Sequence, residues 1–364
     1  MSNQNDFNPN WASTPGDTIA DILNEKKLSI SDFSKMMNSS ISEVNNLLHG
    51  YILINESIAQ KLNKCIGGST DFWLRRESQY RSDIERLKGV EHQKWLKLLP
   101  VNFMVKNNWI EKENGDVINS LLKYFSVPDV WTWRRKYSDV LSEVSFRKSE
   151  KILSKTESLL TWLRKGEIQA EAIACATWSK EKFIRMLPNL KSLSRLKNPK
   201  AFLPKLIEEC SKCGVAVAVA PTPTGCAASG LAKFLHPDKA LILLSFRYKS
   251  DDQFWFTFFH EAAHIILHGE TKVFIEEENM YSASQSEEDE ANQFAAEALI
   301  PKNVRELLFR PRISEKEIKE IARQSNVSLG IVVGQLQFQK LIPNNYFNTF
   351  KKRYDWNDIH ASLT

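Results

Sequence analysis

The sequence predicts a mainly α protein with one small α+β domain. Three observations carry this. Apolar residues recur at helical spacing between Ser, Asp and Asn caps through the first two hundred residues. β-rich runs appear only after Phe202. Beyond them lies one helix-length segment, 252–269, that is apolar on nearly every side yet contains His260, Glu261 and His264.

Composition sets the frame. A chain of 364 residues, 42% hydrophobic and 26% charged, is an ordinary globular protein of two or three domains. It opens on a polar stretch and has no apolar run long enough to span a bilayer, so the expected location is cytoplasmic. Five cysteines are an odd, scattered set. Cys210-x-x-Cys213 is read as two helix-end cysteines before Gly214, not as a redox or metal pair. The net charge of +5 is uneven: residues 1–80 carry −2, 81–200 carry +10 and 201–364 carry −3. The basic middle bears on nucleic-acid contact.

Taken in order, residues 1–14 read as a disordered polar tail. Residues 15–88 read as a helical bundle, with helices at 17–25, 29–37, 40–48, 55–65 and 71–87. Asn38 tolerates the left-handed turn between the second and third helices. Ser40 caps the third helix and Gly50 closes it. Residues 89–200 read as a helical, basic middle domain with helices at 117–125, 128–138, 149–165 and 179–186. Its tryptophans read as core. Arg134, Arg135, Lys136, Arg147, Lys148 and Lys151 can form a basic face, read as a solvated surface. From Phe202 a helix to 212 precedes β runs at 214–220, 229–235 and 240–246, with 229–235 as the candidate sheet edge. After Pro301, helices at 314–324 and 328–341 form a structural lobe, and 342–364 is a tail packed on the body.

The chemistry centres on HEAAH, His260 to His264. Residues four apart on a helix share a face, about 5.4 Å apart along the axis, so both imidazoles can grip one metal ion. Glu261 can hold a water beside that ion. Zinc takes neutral nitrogen ligands, an open position and a nearby carboxylate as base. His268 lies about 12 Å along the axis from His260 and reads as a helix-end residue, favourable at the negative end of the dipole. A third ligand must come from elsewhere. Glu287, Glu288, Asp289 and Glu290 open a second helix, capped by Ser284, with Ala291, Phe294, Ala295 and Ala298 as its apolar stripe.

HEAAH, followed about 25 residues on by EEDEANQFAAEALIP and flanked by KALILLSFRYKSDDQFWFTFF and GIVVGQLQ, resembles the ImmA/IrrE family of zinc metallopeptidases over roughly residues 202–341. The resemblance implies a zincin-like peptidase domain at 201–341 with a short, mostly antiparallel sheet. It also implies two histidines and a glutamate on the metal, and cleavage of repressor-type proteins. The zincin pattern places a polar residue four positions after the liganding glutamate. From Glu288 that residue is Asn292, which favours Glu288 as ligand with Asn292 orienting a histidine. Glu290 remains the rival. Tyr281 is a possible oxyanion partner with nothing to support it.

LSISDFSKMMNSSISEVNNLLHG resembles the helix-turn-helix (HTH) of XRE-family regulators and HigA-type antitoxins. The flanks NPNWASTPGDTIADIL and ILINESIAQKLNKCIGGSTDFWLRRESQY, with SFRKS and WLRKGE further on, are similar to HigA-like proteins that carry a peptidase half. That resemblance implies DNA contact by Ser40, Ile41, Ser42, Asn45 and Asn46, the asparagines reading adenine. The third helix carries no Lys or Arg, Ile30 stands where relatives carry Gln, and the domain is slightly acidic. Contact with a protein partner is therefore the competing reading.

Together these features lead to a cytoplasmic, antitoxin-like regulator, possible as a homodimer, that meets an operator through 15–88. Its peptidase domain holds Zn2+, or Mn2+ in the cell, and cleaves a repressor, toxin or other partner, with Glu261 as base. The alternative is a non-proteolytic antitoxin or repressor whose metal domain senses or supports.

Overall fold

The computed structural model describes residues 12–50, 52–111, 116–137, 155–269, 274–277, 280–281, 285–310 and 313–363. Arg147, Lys148 and Lys151, Ser284, the tail as far as residue 11, and the side chains of Ser42 and Tyr281 lie outside that description. The protein is mostly helical with a small mixed sheet, as the sequence predicts. The chain divides into two compact units, Met1–Phe146 and Arg147–Thr364. No helix among the described residues is long and apolar enough to cross a membrane.

In the first unit, α1 (Pro15–Glu25), α2 (Ile30–Met37), α3 (Ile41–Leu48) and α4 (Glu56–Ile66) form a small bundle. Thr14, at the end of the expected tail, caps α1 through a reciprocal pair with Asp17, and Pro15 sits at its first position. Asn38 closes α2 in the left-handed region, at φ 49° and ψ 50°. Ser40 opens α3 with a second capping box to Glu43. Ile19, Phe33, Val44, Leu47, Leu62 and Trp73 form the core. Gly16 matters here: a Cβ on it would overlap the backbone of Leu48, so glycine lets α1 meet the end of α3.

The fifth helix does not stop at 87. α5 runs Thr70–Leu98. Buried Trp73, Tyr80, Ile84 and Trp95 anchor it, and pairs such as Arg86–Asp83 and Lys88–Glu85 line its exposed side. It leads to α6 (Val101–Lys106), α7 (Val117–Phe125) and α8 (Val130–Lys136). Trp95, Phe125, Trp133 and Tyr137 pack ring against ring. The basic residues of α8 have local partners: Arg134 pairs with Glu91 at 2.6 Å, Arg135 donates to the Tyr80 hydroxyl at 3.0 Å and Lys136 to the Phe125 carbonyl at 3.0 Å.

The stretch read as one middle domain is shared between the units: α8 belongs to the first, whereas α9 (Thr156–Ala172) lies in the second. There follow α10 (Lys180–Ser192), α11 (Pro199–Ser211), β1 (Val215–Val219), β2 (Ala228–His236), β3 (Lys239–Leu244), α12 (Asp251–Leu267), β4 (Phe274–Glu277), β5 (Met280–Tyr281), α13 (Gln285–Leu299), α14 (Lys302–Arg305), α15 (Glu315–Ser325), α16 (Leu329–Phe338) and α17 (Trp356–His360). The sheet order is β1-β3-β2-β4-β5, parallel only between β1 and β3. β2 is therefore not an edge. β4 and β5 cover it, supplied by a stretch whose acids (FIEEENMY) masked a strand pattern.

Register shows that helices cover both faces of the sheet. Gly230 faces α12, whereas Leu243, opposite its neighbour Leu231, faces Gly166 of α9. α9 also closes one end of the sheet. The Gln169 side chain accepts from Val219 N–H at 3.1 Å and donates to Val219 C=O at 3.0 Å, and Trp162 donates to Ala220 C=O at 2.9 Å.

Candidate metal centre

α12 is buried along most of its length by Phe254, Trp255, Phe258, Phe259, Ile265 and Ile266. Its first turn is fixed by charge. The Asp251 carboxylate accepts from the Ser328 hydroxyl at 2.7 Å and from Lys352 N–H at 3.0 Å. Lys351 reaches Asp252 at 2.6 Å. Gly330 and Gly334, one turn apart on α16, leave room for these two acids.

Two turns on, His260 and His264 share a face as their spacing requires. Their Nε2 atoms lie 3.0 Å apart. α13 brings Glu288 against both, with Oε2 3.1 Å from His260 Nε2 and Oε1 3.4 Å from His264 Nε2. Each of the three residues is 1% exposed. A tetrahedral ion with bonds of about 2.0–2.1 Å needs ligand atoms about 3.3 Å apart. The triangle has that size, so the donor set and spacing fit a small divalent metal. Ala291 and Ala295, both buried, are the small residues of α13 near this approach.

Electrostatics agree with a metal site. Burial pushes the Glu288 carboxyl up, but hydrogen bonds and charge from His260 and His264 outweigh it and hold it at about 2. Burial, together with His260, lowers His264 against the pull of Glu288, which favours the neutral ring a metal requires. His268 sits at the end of α12, where its Nε2 lies 3.2 Å from Glu290. Glu290 is thus engaged one turn from the triangle. Asn292 is half-buried on α13, and among the described residues no hydrogen bond joins it to His260 or His264.

Glu261 is 0% exposed and faces the sheet. A Cβ on Gly230 would overlap its Oε1, lie 2.8 Å from its Cγ and come within 2.6 Å of Thr257 Cγ2. Gly230 is thus the close-approach residue that seats this carboxylate. The one glycine inside a β run was its only signal in the sequence. On the open side, the ring of Phe256 lies 6.3 Å from that of His260 and 6.2 Å from that of Phe338, which is 73% exposed.

In the first unit Ser40, Ile41 and Asn46 are exposed and Asn45 is half-buried. The Ser40 hydroxyl is held by the capping box with Glu43, and the backbone carbonyl of Asn45 accepts from His49 Nδ1 at 2.6 Å. Ile30, Met36 and Ile41 are exposed apolar side chains on the same pair of helices, α2 and α3.

The IrrE N-terminal-like domain, a peptidase M78 model, matches residues 215–336, which include the whole triangle and Glu261. The N-terminal region matches YddM, an uncharacterised HTH-type transcriptional regulator of Escherichia coli (strain K12). The identity is 31% over 86 residues, which is 22% of this chain and 92% of that protein. The chain therefore belongs with the HTH-type regulators through its N-terminal region and joins that region, in one polypeptide, to a metallopeptidase-like domain of the ImmA/IrrE type.

Proposed function

We propose that this protein is a DNA-binding, antitoxin-like regulator whose second unit is a zinc-dependent endopeptidase acting on a repressor, toxin or other partner protein. The triangle of His260, His264 and Glu288 carries the reading, with buried Glu261 next in sequence to its first member. His260, His264 and Glu288 would hold zinc, or manganese in the cell, and the bound ion would supply Lewis-acid polarisation; zinc would lower the pKa of water to about 7. Glu261 takes the proton and returns it to the leaving amine. Its seat against Gly230 supports that role, because it holds the carboxylate in one place. Phe256 and Phe338 offer an apolar wall for the chain being cut, so a substrate with a large apolar residue beside the scissile bond suits the site.

Operator binding, through Ser40, Ile41, Ser42, Asn45 and Asn46 and as a homodimer, is supported by the similarity to an HTH-type regulator. One observation favours a protein partner for this unit instead. Ile30, Met36 and Ile41 are exposed, and Glu43 places an acid at the start of α3. The deciding experiment compares wild type with Glu261→Gln in cells and with purified partner proteins. The variant is expected to keep its metal and lose cleavage. Equal cleavage by both would remove Glu261 from the chemistry. No cleavage by either, with metal bound, would leave a sensing or supporting domain.

A further inference from the structure

A hollow of about 310 Å³ lies in the second unit, apart from the metal triangle. Four stretches of chain build it. The segment after α10 gives Arg195 and Lys197, α15 gives Lys319 and Arg323, the tail gives Phe350 and Lys352, and the start of α16 gives Ser328. Among the described residues, no carboxylate lines it.

Five cations round one hollow repel each other, and the repulsion grows as water is excluded. Two are relieved along their own helix, Arg323 by Glu320 at 2.7 Å and Lys319 by Glu315 at 3.5 Å. Two others meet neutral oxygens. Arg195 donates to Asn326 Oδ1 at 3.0 Å, and Lys352 donates to the Arg195 carbonyl at 3.3 Å. Lys197 has no ion pair among the described residues. Burial pulls the Lys352 ammonium below its usual range; Asp251 opposes this and Lys197 adds to it. The ten-residue helix α16 begins at the hollow, so its positive end reinforces the same field.

We propose that this hollow binds a small phosphate-bearing ligand of nucleotide size. Its volume is at the lower end of the range for small-molecule sites, about 300–1,000 Å³. Buried Ala322, Val327 and Ser328 line it, so a compact ligand fits better than a long backbone passing over the surface. Phe350 closes the wall, its ring stacked with that of Phe347 and 5.8 Å from the Lys319 ammonium, which holds that cation at the hollow. The site is wired to the metal helix, since Ser328 and Lys352 both hold Asp251, the first residue of α12.

The test is calorimetric titration of the full chain with pyrophosphate, AMP, GMP and ATP, which reads binding independently of cleavage. At least one nucleotide should bind, more weakly as salt rises. Lys197→Ala and Arg195→Ala should each weaken it about 10-fold or more, as loss of a charge-assisted hydrogen bond does. Lys197→Arg should retain it. Both positions are exposed, so the ligand-free variants should melt like wild type. Binding should also slow amide exchange at 251–254, at the start of α12. Three results would overturn the proposal: no binding by any probe, equal binding in both alanine variants, or single- or double-stranded DNA losing affinity in those variants while no nucleotide binds. Binding without slower exchange at 251–254 would break the link to the metal helix.

Discussion

On the proposed role of Glu261 as base, replacing Gly230 by alanine should cripple cleavage while sparing metal binding. The added Cβ would lie 2.6 Å from Thr257 Cγ2 and 2.8 Å from Glu261 Cγ, and would overlap Glu261 Oε1. Strand β2 cannot retreat, because β3 and β4 hold it on both sides. α12 cannot retreat easily either, because its opposite side is core. The yielding group is therefore the Glu261 side chain. Overpacking of this kind costs about 1–3 kcal/mol. In a unit of this size that lowers Tm by about 2–12 °C, at about 2–4 °C per kcal/mol. A displacement near 1 Å of a catalytic group costs about 100-fold in rate. His260 and His264 meet Glu288 on α13 rather than β2, so on the proposed ligand set metal content should stay near one ion per chain. The assay combines metal analysis, a thermal scan and the cleavage rate on a substrate found by comparing wild type with Glu261→Gln. Adding Thr257→Ser removes one of the two clashes, so it should recover part of the stability and little of the rate. Wild-type cleavage by Gly230→Ala would refute the seating of Glu261 against the strand.

Among Glu287→Gln, Glu288→Gln and Glu290→Gln, the second should lose the most zinc, measured by competition with a chromogenic chelator. Loss confined to Glu290→Gln would shift the ligand by two positions. The acid limb of metal binding should lie low. His264 is depressed below its usual value, so it stays neutral past pH 6.5 as pH falls, and metal should be retained there in a pH-dependent binding titration. For the metal-free protein, the Glu288 carboxylate is held at about 2 against 4.5, so its stabilisation is complete above 4.5 and fades as pH falls toward 2. Denaturant melts between those values should fall in step; a flat profile would show the pair with the histidines to be negligible. On promoter DNA, Asn45→Ala and Asn46→Ala should reduce sequence preference by about 1–3 kcal/mol if either reads adenine. Unchanged preference in gel-shift titrations would move the function of this unit toward a protein partner.

The features written in periodicity and caps were legible in the sequence. Asn38, Ser40 and Gly50 marked the helix-turn-helix, and His260, Glu261 and His264 marked one face of a buried helix. Features that depend on tertiary contact were not. Nothing in 228–236 distinguishes a central strand from an edge, because that depends on a partner strand read as an acidic loop. The reach of α5 through 98 was hidden by Gly89 and a run of charges that only turn-spaced pairing makes helical. Asn292 was chosen from a spacing rule, but the rotation of α13 about its own axis decides what a side chain reaches. That rotation is set by Ala291 and Ala295 in the core.

The Gln169 amide, set against Val219, acts as a strand one residue long. An open sheet ends in a row of unmatched peptide groups that any extended chain can extend, whether a second copy, a nascent neighbour or a stray peptide. Here a side chain from the covering helix already occupies that row, donor to acceptor and acceptor to donor, so β1 offers no template where Gln169 meets it. A single amide thus blocks strand addition at one point of the β1 edge, at Val219, without a further strand.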